Sequence, residues 1–358
     1  MSKQFKSKID VQSESFLKNR AEMLEKIKEM RDLEKRSLNA SESKRKKFEE
    51  RNQLSPRERL NALIDTDSEF IELYNMAGFL VEDNNPETSI PGASVIAGIG
   101  FIQGVRCMIM VDDSGINAGA ATSTTVDKCV GCLEISLEKK LPFVHLVESA
   151  GINLMNYKVE IWARAGGMFA GLAKLSAAGI PTITILHGLS TAGGAYNVGM
   201  SDYVIGVKKN GMAALAGPAL LKAATNEVAS NEELGGSEMH ATVSGLVEYL
   251  AEDDSDAIDI ARNVINSLDW NSGFSTLKNN DYVEPKYDID EIAGIVNLDY
   301  KKPYDAREII LRLVDDSSFI EFKPRYGITT LCFQANINGN SCGIIANNGP
   351  IDTDGATK

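Results

Sequence analysis

A glycine pair, Gly193-Gly194, stands where an apolar run gives way to small residues, in Pro181-Thr-Ile-Thr-Ile-Leu-His-Gly-Leu-Ser-Thr-Ala-Gly-Gly-Ala-Tyr196. Thr182 to Leu186 has the β-branched, apolar texture of a buried strand. Gly188 and then Gly193-Gly194 free the backbone for a sharp turn into a helix that begins near Gly194. The first N–H groups of a helix have no partner within it and sit at the positive end of its dipole, so this turn is suited to hold an oxygen that becomes negative during a reaction. Close strand-to-helix packing is the plainer use of the same glycines, and the motif alone leaves both open. A phosphate cradle is disfavoured, because no Lys-Ser or Lys-Thr follows the glycines and Gly-x-Gly-x-x-Gly is missing. So is a nucleophile elbow, since Gly-x-Ser-x-Gly is missing here. Cys129-Val-Gly-Cys132 lacks a second pair or a nearby histidine and falls within a helical pattern, which argues against zinc or redox use. His187 and His240 read as packing or hydrogen-bonding residues.

The elements that must position this turn have a regular rhythm. Strands are expected at Arg106–Asp112, Pro142–Glu148, Pro181–His187 and Tyr203–Val207, with helices near Ser123–Lys140 and Val159–Ala178. The first three strands begin about 36 to 39 residues apart, the spacing of one βα turn in a stacked α/β spiral. Each ends in small or polar residues, Asp112-Asp-Ser-Gly, Ser149-Ala-Gly and His187-Gly-Leu-Ser, and ligand sites of α/β sheets collect at such ends. Arg57–Ile64, Phe70–Glu72 and a hairpin over Val95–Val111 through Gln103-Gly104 run helix, strand, hairpin. Residues 306–346 repeat that order around Gly339. The expected division is a charged helical arm over 1–60, a first domain over 61–275, a linker over 276–302, and an incomplete beginning of a second domain over 303–358.

Residues 1–60 hold 17 Lys and Arg against 11 Asp and Glu, while the whole chain carries a net charge of −13. A body that acidic is a poor nucleic-acid binder. Lys44 to Lys47, Arg57 and Arg59 in the basic segment are candidates for the phosphates of a ligand. No apolar run of about twenty residues and no charged-then-apolar leader marks a membrane span or secretory signal, which points to the cytoplasm. Five cysteines, an odd and scattered set, suit a reducing compartment.

Six collinear motifs carry a specific resemblance. They are Ser55-Pro-Arg-Glu-Arg-Leu, Val147-Glu-Ser-Ala-Gly-Ile-Asn-Leu, Ser190-Thr-Ala-Gly-Gly-Ala-Tyr, Leu215-Ala-Gly-Pro-Ala-Leu-Leu-Lys-Ala-Ala-Thr, Glu233-Leu-Gly-Gly-Ser-Glu-Met-His with Ser244-Gly, and Ile344-Ile-Ala-Asn-Asn-Gly. Together they resemble the carboxyltransferase (β) subunit of biotin-dependent acyl-CoA carboxylases, in order from about residue 15 to the end. The resemblance implies a crotonase-like spiral α/β fold, one complete domain plus the start of a second. It implies transfer of carbon dioxide from carboxybiotin, on a separate carrier, to the enolate of an acyl-CoA, with biotin supplying the base and no metal in this chain. Implied partners are a biotin carboxylase and biotin carboxyl carrier subunit and further copies of the chain, a hexamer in the family, with no nucleic acid and no membrane.

Carried onto this sequence, the resemblance gives Gly193 and Gly194, with Ala150 and Gly151, as backbone oxyanion donors. It gives Ala118, Gly119, Ala192, Tyr196, Gly217 and Pro218 as residues of the acyl-CoA and biotin pocket. Ser149-Ala150-Gly151-Ile152 replaces the usual Ser-Gly-Gly-Ala, Asn226 stands where glycine is usual, and Asn117-Ala-Gly-Ala120 is an unusual version of the segment expected near coenzyme A. These departures leave the acyl group unassigned. In the family a second set of donors lies in the second domain, so the chain is expected not to complete transfer alone. A biotin-dependent decarboxylase subunit and a non-catalytic coenzyme A or subunit-binding fragment are the competing readings.

Overall fold

A computed structural model describes residues 5–152, 159–270 and 281–358. In chain order the helices are α1 (Glu14–Glu42), α2 (Arg45–Glu49), α3 (Pro56–Leu63), α4 (Ser123–Lys139), α5 (Val159–Ala177), α6 (Gly193–Gly199), α7 (Pro218–Thr225), α8 (Asn231–Gly235), α9 (Ser237–Met239), α10 (Asp254–Ser267), α11 (Ile292–Ile295), α12 (Ala306–Ile310) and α13 (Thr353–Thr357). The strands are β1 (Ile71–Glu72), β2 (Val95–Ile102), β3 (Val105–Asp112), β4 (Phe143–Ser149), β5 (Thr182–Thr191), β6 (Tyr203–Val207), β7 (Met212–Ala214), β8 (Tyr249–Ala251), β9 (Phe319–Phe322), β10 (Thr330–Ile337) and β11 (Asn340–Asn347).

The chain divides into two compact units, Asp32–Gly273 and Met1–Arg31 with Phe274–Lys358. The expected boundaries differ from this. Residues 1–60 are largely helical, as expected, but are not set apart as an arm, because α1 contributes to both units and Phe16, Phe48 and Ser55 are buried. The described part of 276–302 is not a bare linker either: α11 carries Gly294, against which the buried Phe16 ring packs. The expected boundary at 275, and Asn153 and Leu154 of the second motif, lie outside the described residues.

In the unit Asp32–Gly273 the sheet runs β1-β2-β3-β4-β5-β6-β8, with β7 paired to β5. The first three strands are antiparallel, and from β3 onward neighbours are parallel, joined by helical crossovers. Alternation along the strands sends side chains to two cores. Ile109, Val111, Val144 and Ile183 meet Leu60 and Leu63 of α3 and Ile258 and Ile265 of α10. Met108, Met110 and Phe143 meet Cys129 and Leu133 of α4 and Leu172 and Leu175 of α5. The near-continuous apolar texture of β3 and β4 follows from this burial on both faces.

The unit of the chain ends holds the three-stranded antiparallel sheet β11-β10-β9, with Ala306, Ile310, Val314, Leu331 and Phe333 as its core. Both hairpins close on a two-residue turn. Gln103 and Gly104 have φ of 52° and 72°, Asn338 and Gly339 48° and 74°, the all-positive pattern of a type I′ turn. Each tip is clamped by one carboxylate. Asp65 Oδ1 and Oδ2 accept the Gln103 and Gly104 N–H groups at 2.8 and 2.7 Å, and Asp315 does the same for Asn338 and Gly339 at 2.8 and 2.7 Å.

Candidate functional site

The carboxyl ends of β3, β4 and β5 open onto a pocket of about 130 Å³ on the α4–α5 side of the sheet. Its apolar wall includes Val126, Ile152, Trp162, Ala165, Met168 and Phe169, and Gly193 and Gly194 form part of its rim. Two elements set that rim. The β5 strand runs through Gly188 and Ser190 to Thr191, and the chain then reverses at Ala192, whose φ is 51° and ψ −117°. The Ala192 N–H donates to the Ala214 carbonyl of β7 at 3.0 Å. Gly188 is therefore not part of the turn. It is a strand residue where a Cβ would lie 2.5 Å from Glu148 Cγ, so glycine is needed for close approach of two strands.

Among the described residues, neither the Gly193 nor the Gly194 N–H has a hydrogen-bond acceptor, and both residues line the pocket. The seven-residue α6 is too short for much of a dipole, so these N–H groups themselves are the polar feature. The other expected donor pair is occupied. The Ala150 N–H donates to the Ala118 carbonyl at 3.1 Å and the Gly151 N–H to Ser149 Oγ at 3.1 Å, while Ser149 Oγ donates to the Gly119 carbonyl at 2.7 Å. Ala118, Gly119, Ala150 and Gly151 thus brace one another as a wall, and their geometry corrects the expectation that the Ala150-Gly151 turn offers free donors. Gly119 and Gly151 line the pocket. Tyr196 is half-exposed, its ring 5.1 Å from that of Phe169. Gly217 caps α7 with Pro218 as its first residue, and neither lines the pocket.

Polar residues of the pocket that the motifs did not single out are Asp112, Thr125, His145 and Asn197. His145 follows Phe143 by two in β4 and so faces the same side of the sheet. Its Nε2 lies 3.1 Å from Asp112 Oδ1, and Asp112 Oδ2 accepts the Glu148 N–H at 3.1 Å. Period-2 alternation was the only available signal, and in a strand buried on both faces it marks nothing as special.

Beneath the other face of the same strand ends lies a buried charge cluster. Arg59 of α3 donates to Glu148 Oε2 at 2.6 Å and to Asp254 Oδ2 at 2.9 Å, and His187 Nδ1 is 2.7 Å from Asp254 Oδ1. Burial acts to raise the Asp254 pKa, but contact with His187, the Arg59 guanidinium and the Leu54 N–H outweighs it and holds the group at about 2. Burial, aided by Arg59, pushes His187 below its ordinary 6.5, so it is neutral at pH 7 and donates from Nδ1. His187 is thus a hydrogen-bonding residue, as expected. Arg59 is not available to a ligand phosphate, and Arg57 is held by both oxygens of Glu72. Of the proposed phosphate contacts, Lys44, Lys46 and Lys47 remain exposed, whereas Arg45 pairs with Glu42 and Glu58.

Cys129 and Cys132 are unpaired and buried on α4, where burial pushes the Cys132 thiol up to about 11. Among the described residues no group of three or more His, Cys, Asp or Glu is arranged to hold a metal, and no helix is long and apolar enough to cross a membrane.

The model of the carboxyl transferase domain matches residues 47–358. The chain belongs to the carboxyl transferase domain family. It is 44% identical over 298 residues to a probable biotin-dependent acyl-coenzyme A carboxylase beta2 subunit of Mycobacterium tuberculosis, covering 83% of this chain and 54% of the relative. The geranyl-CoA carboxylase beta subunit of P. aeruginosa superposes with a TM-score of 0.91 at 44% identity, over 99% of this chain and 66% of that one. A transcarboxylase 12S structure, described as a hexamer with methylmalonyl-coenzyme A and methylmalonic acid bound, superposes with a TM-score of 0.60 at 29% identity, over 91% of this chain and 62% of that one. The fold is accordingly the crotonase-like fold of carboxyltransferases. The chain spans little more than half the length of the curated relative.

Proposed function

We propose that the chain forms the acyl-CoA side of a carboxyltransferase site in a biotin-dependent acyl-CoA carboxylase. The thioester oxygen docks on the Gly193 and Gly194 N–H groups, which stabilise it as the α-carbon loses its proton and the oxygen becomes an enolate. One such donor is worth roughly 2.7–4 kcal/mol in comparable sites. Carboxybiotin on a separate carrier subunit supplies the carboxyl group and the base. The braced Ala118–Gly119 and Ser149–Gly151 segments fix the wall beside the thioester, and the α4–α5 side takes the acyl tail. Further copies of the chain and the biotin-carrying subunit are the partners this reading requires, and the five unpaired cysteines favour the reducing cytoplasm.

The observation that carries the reading is the coincidence of two N–H groups without an acceptor among the described residues and a mainly apolar pocket. The test is carboxyl transfer from a carboxybiotin carrier to a panel of acyl-CoAs. A Cβ at Gly194 would sit 2.7 Å from the buried Ser190 Oγ. Gly194→Ala is therefore expected to displace the turn and lower kcat about a hundredfold, with part of the loss restored in Gly194→Ala/Ser190→Ala. Undiminished turnover in a folded Gly194→Ala protein would reject the donor role.

A further inference from the structure

The pocket combines an apolar wall with polar atoms that have no hydrogen-bond partner among the described residues. His145 is 3% exposed and Asn197 8% exposed, and both line it. In the neutral tautomer that donates from Nε2 to Asp112 Oδ1 at 3.1 Å, His145 Nδ1 is an acceptor. Nδ1 has no hydrogen-bond partner among the described residues, and neither has the Asn197 side-chain amide. Asp112 is itself fixed by the Glu148 N–H, so His145 is held in orientation. A carboxylate-oriented imidazole and an open amide, both nine-tenths buried in one small cavity, form a ready acceptor and donor.

We infer that the site is built for an acyl group whose tail carries a hydroxyl or keto oxygen, in preference to a plain hydrocarbon tail; this rests on the acyl-CoA reading above. A tail hydroxyl donates to His145 Nδ1 and accepts from the Asn197 amide, while Trp162, Met168 and Phe169 cover the carbon stem. The volume of about 130 Å³ limits that stem to a short one, since a cavity of ~150 Å³ accepts benzene. A hydrocarbon tail of equal length would strip water from the two polar groups and leave them unpaired. Each such loss corresponds to roughly five- to a hundredfold in binding. A site that hydrogen-bonds a substrate hydroxyl rejects the analogue lacking it more strongly than an apolar slot rejects a methylene.

The experiment measures kcat/KM of the enzyme, assembled with its biotin-carrying subunit, for short unbranched acyl-CoAs and their tail-hydroxylated counterparts. The wild type is expected to prefer the hydroxylated member of a pair by about tenfold or more. His145→Phe, which keeps the ring volume, should reverse the preference, and His145→Gln, which keeps an acceptor, should recover part of it. Asn197→Leu makes the same comparison should His145→Phe fail to fold. A wild-type preference for the plain chains, or variants that slow both members equally, would overturn the inference, as would a captive water that leaves selectivity unchanged. If the wild type neither binds nor turns over any acyl-CoA, the proposed function falls and this inference with it; binding or turnover without discrimination removes the inference alone.

Discussion

The same local module occurs twice and meets two fates. In Asp32–Gly273, α3 leads to β1 and then to the hairpin β2–β3; in the unit of the chain ends, α12 leads to β9 and the hairpin β10–β11. Both modules place strands in one antiparallel order, both turn on an all-positive pair, and both pin that turn with an aspartate lying after the helix. Yet β3 is buried on both faces because β4 pairs with it, whereas β11 is an edge whose residues alternate in exposure, with Ile345 79% exposed. Local chemistry closes the hairpin, and burial is decided by what pairs with it next. Composition already carries the difference: Val105-Arg-Cys-Met-Ile-Met-Val-Asp is nearly all apolar, and Asn340-Ser-Cys-Gly-Ile-Ile-Ala-Asn is not.

The strongest test of this contrast lies in the buried arginines. Arg59→Met removes the partner of both Glu148 and Asp254 and is expected to cost about 3–5 kcal/mol of stability in denaturant unfolding. Arg312→Met should cost less, because of its two partners Glu291 is partly exposed and the buried Glu308 keeps the Ser7 hydroxyl and the Lys8 N–H as donors. Equal losses would show that the two modules are equally buried. Ile109→Ala in β3 should cost about 2–5 kcal/mol by opening a cavity in the core, and Ile345→Ala in β11 less than about 0.5 kcal/mol; similar values in hydrogen exchange or denaturation would remove the distinction drawn here.

Acid sharpens it further. Asp254 has a folded pKa of about 2 against an ordinary 3.8, so its contribution is complete above about pH 4 and lost as pH falls toward 2. That shift corresponds to about 2 kcal/mol. His187, depressed below 6.5, adds loss of the same sign as pH falls below that value, because the unfolded chain binds the proton first. Unfolding midpoints of the unit Asp32–Gly273 are therefore expected to fall from about pH 6 downward, and a flat profile to pH 3 would contradict the charge cluster. At the hairpin tips, Asp315→Ala should cost about 1–2 kcal/mol. Asp65→Ala should cost somewhat more, since Asp65 also pairs with Arg262.

Much of this was legible in the chain. Tyr203–Val207 is a strand with the expected bounds, and the starts of β4, β5, α4 and α5 fall within a residue of expectation, because the strands are short apolar runs and the two helices are long enough to show a period. The three-residue strands β7 and β8 are too short to show a period and were not foreseen. Arg59 misled for a related reason: in a highly charged helix, a residue covered by a distant segment looks like its solvated neighbours. At the site, the Gly193-Gly194 turn was visible because glycine is a strong signal. Asp112 was visible only as the polar end of a strand and His145 not at all, since their pairing depends on the parallel register of β3 and β4, with Met110 opposite His145 and Val111 opposite Leu146. The occupied donors of Ala150 and Gly151 belong to the same class of fact, being fixed by carbonyl and hydroxyl partners some thirty residues away or next door in a loop.

The reversal at Ala192 gives the site a mechanical character. A non-glycine residue at φ 51° and ψ −117° is held in a sparsely populated conformation that costs on the order of 1–3 kcal/mol. The Ala214 carbonyl of β7 clips its N–H in place. Glycine at this position would relieve that strain and free the joint, so the alanine trades some global stability for a stiffer presentation of the next two N–H groups. In this molecule the rigidity of the donor turn is stored in one methyl group.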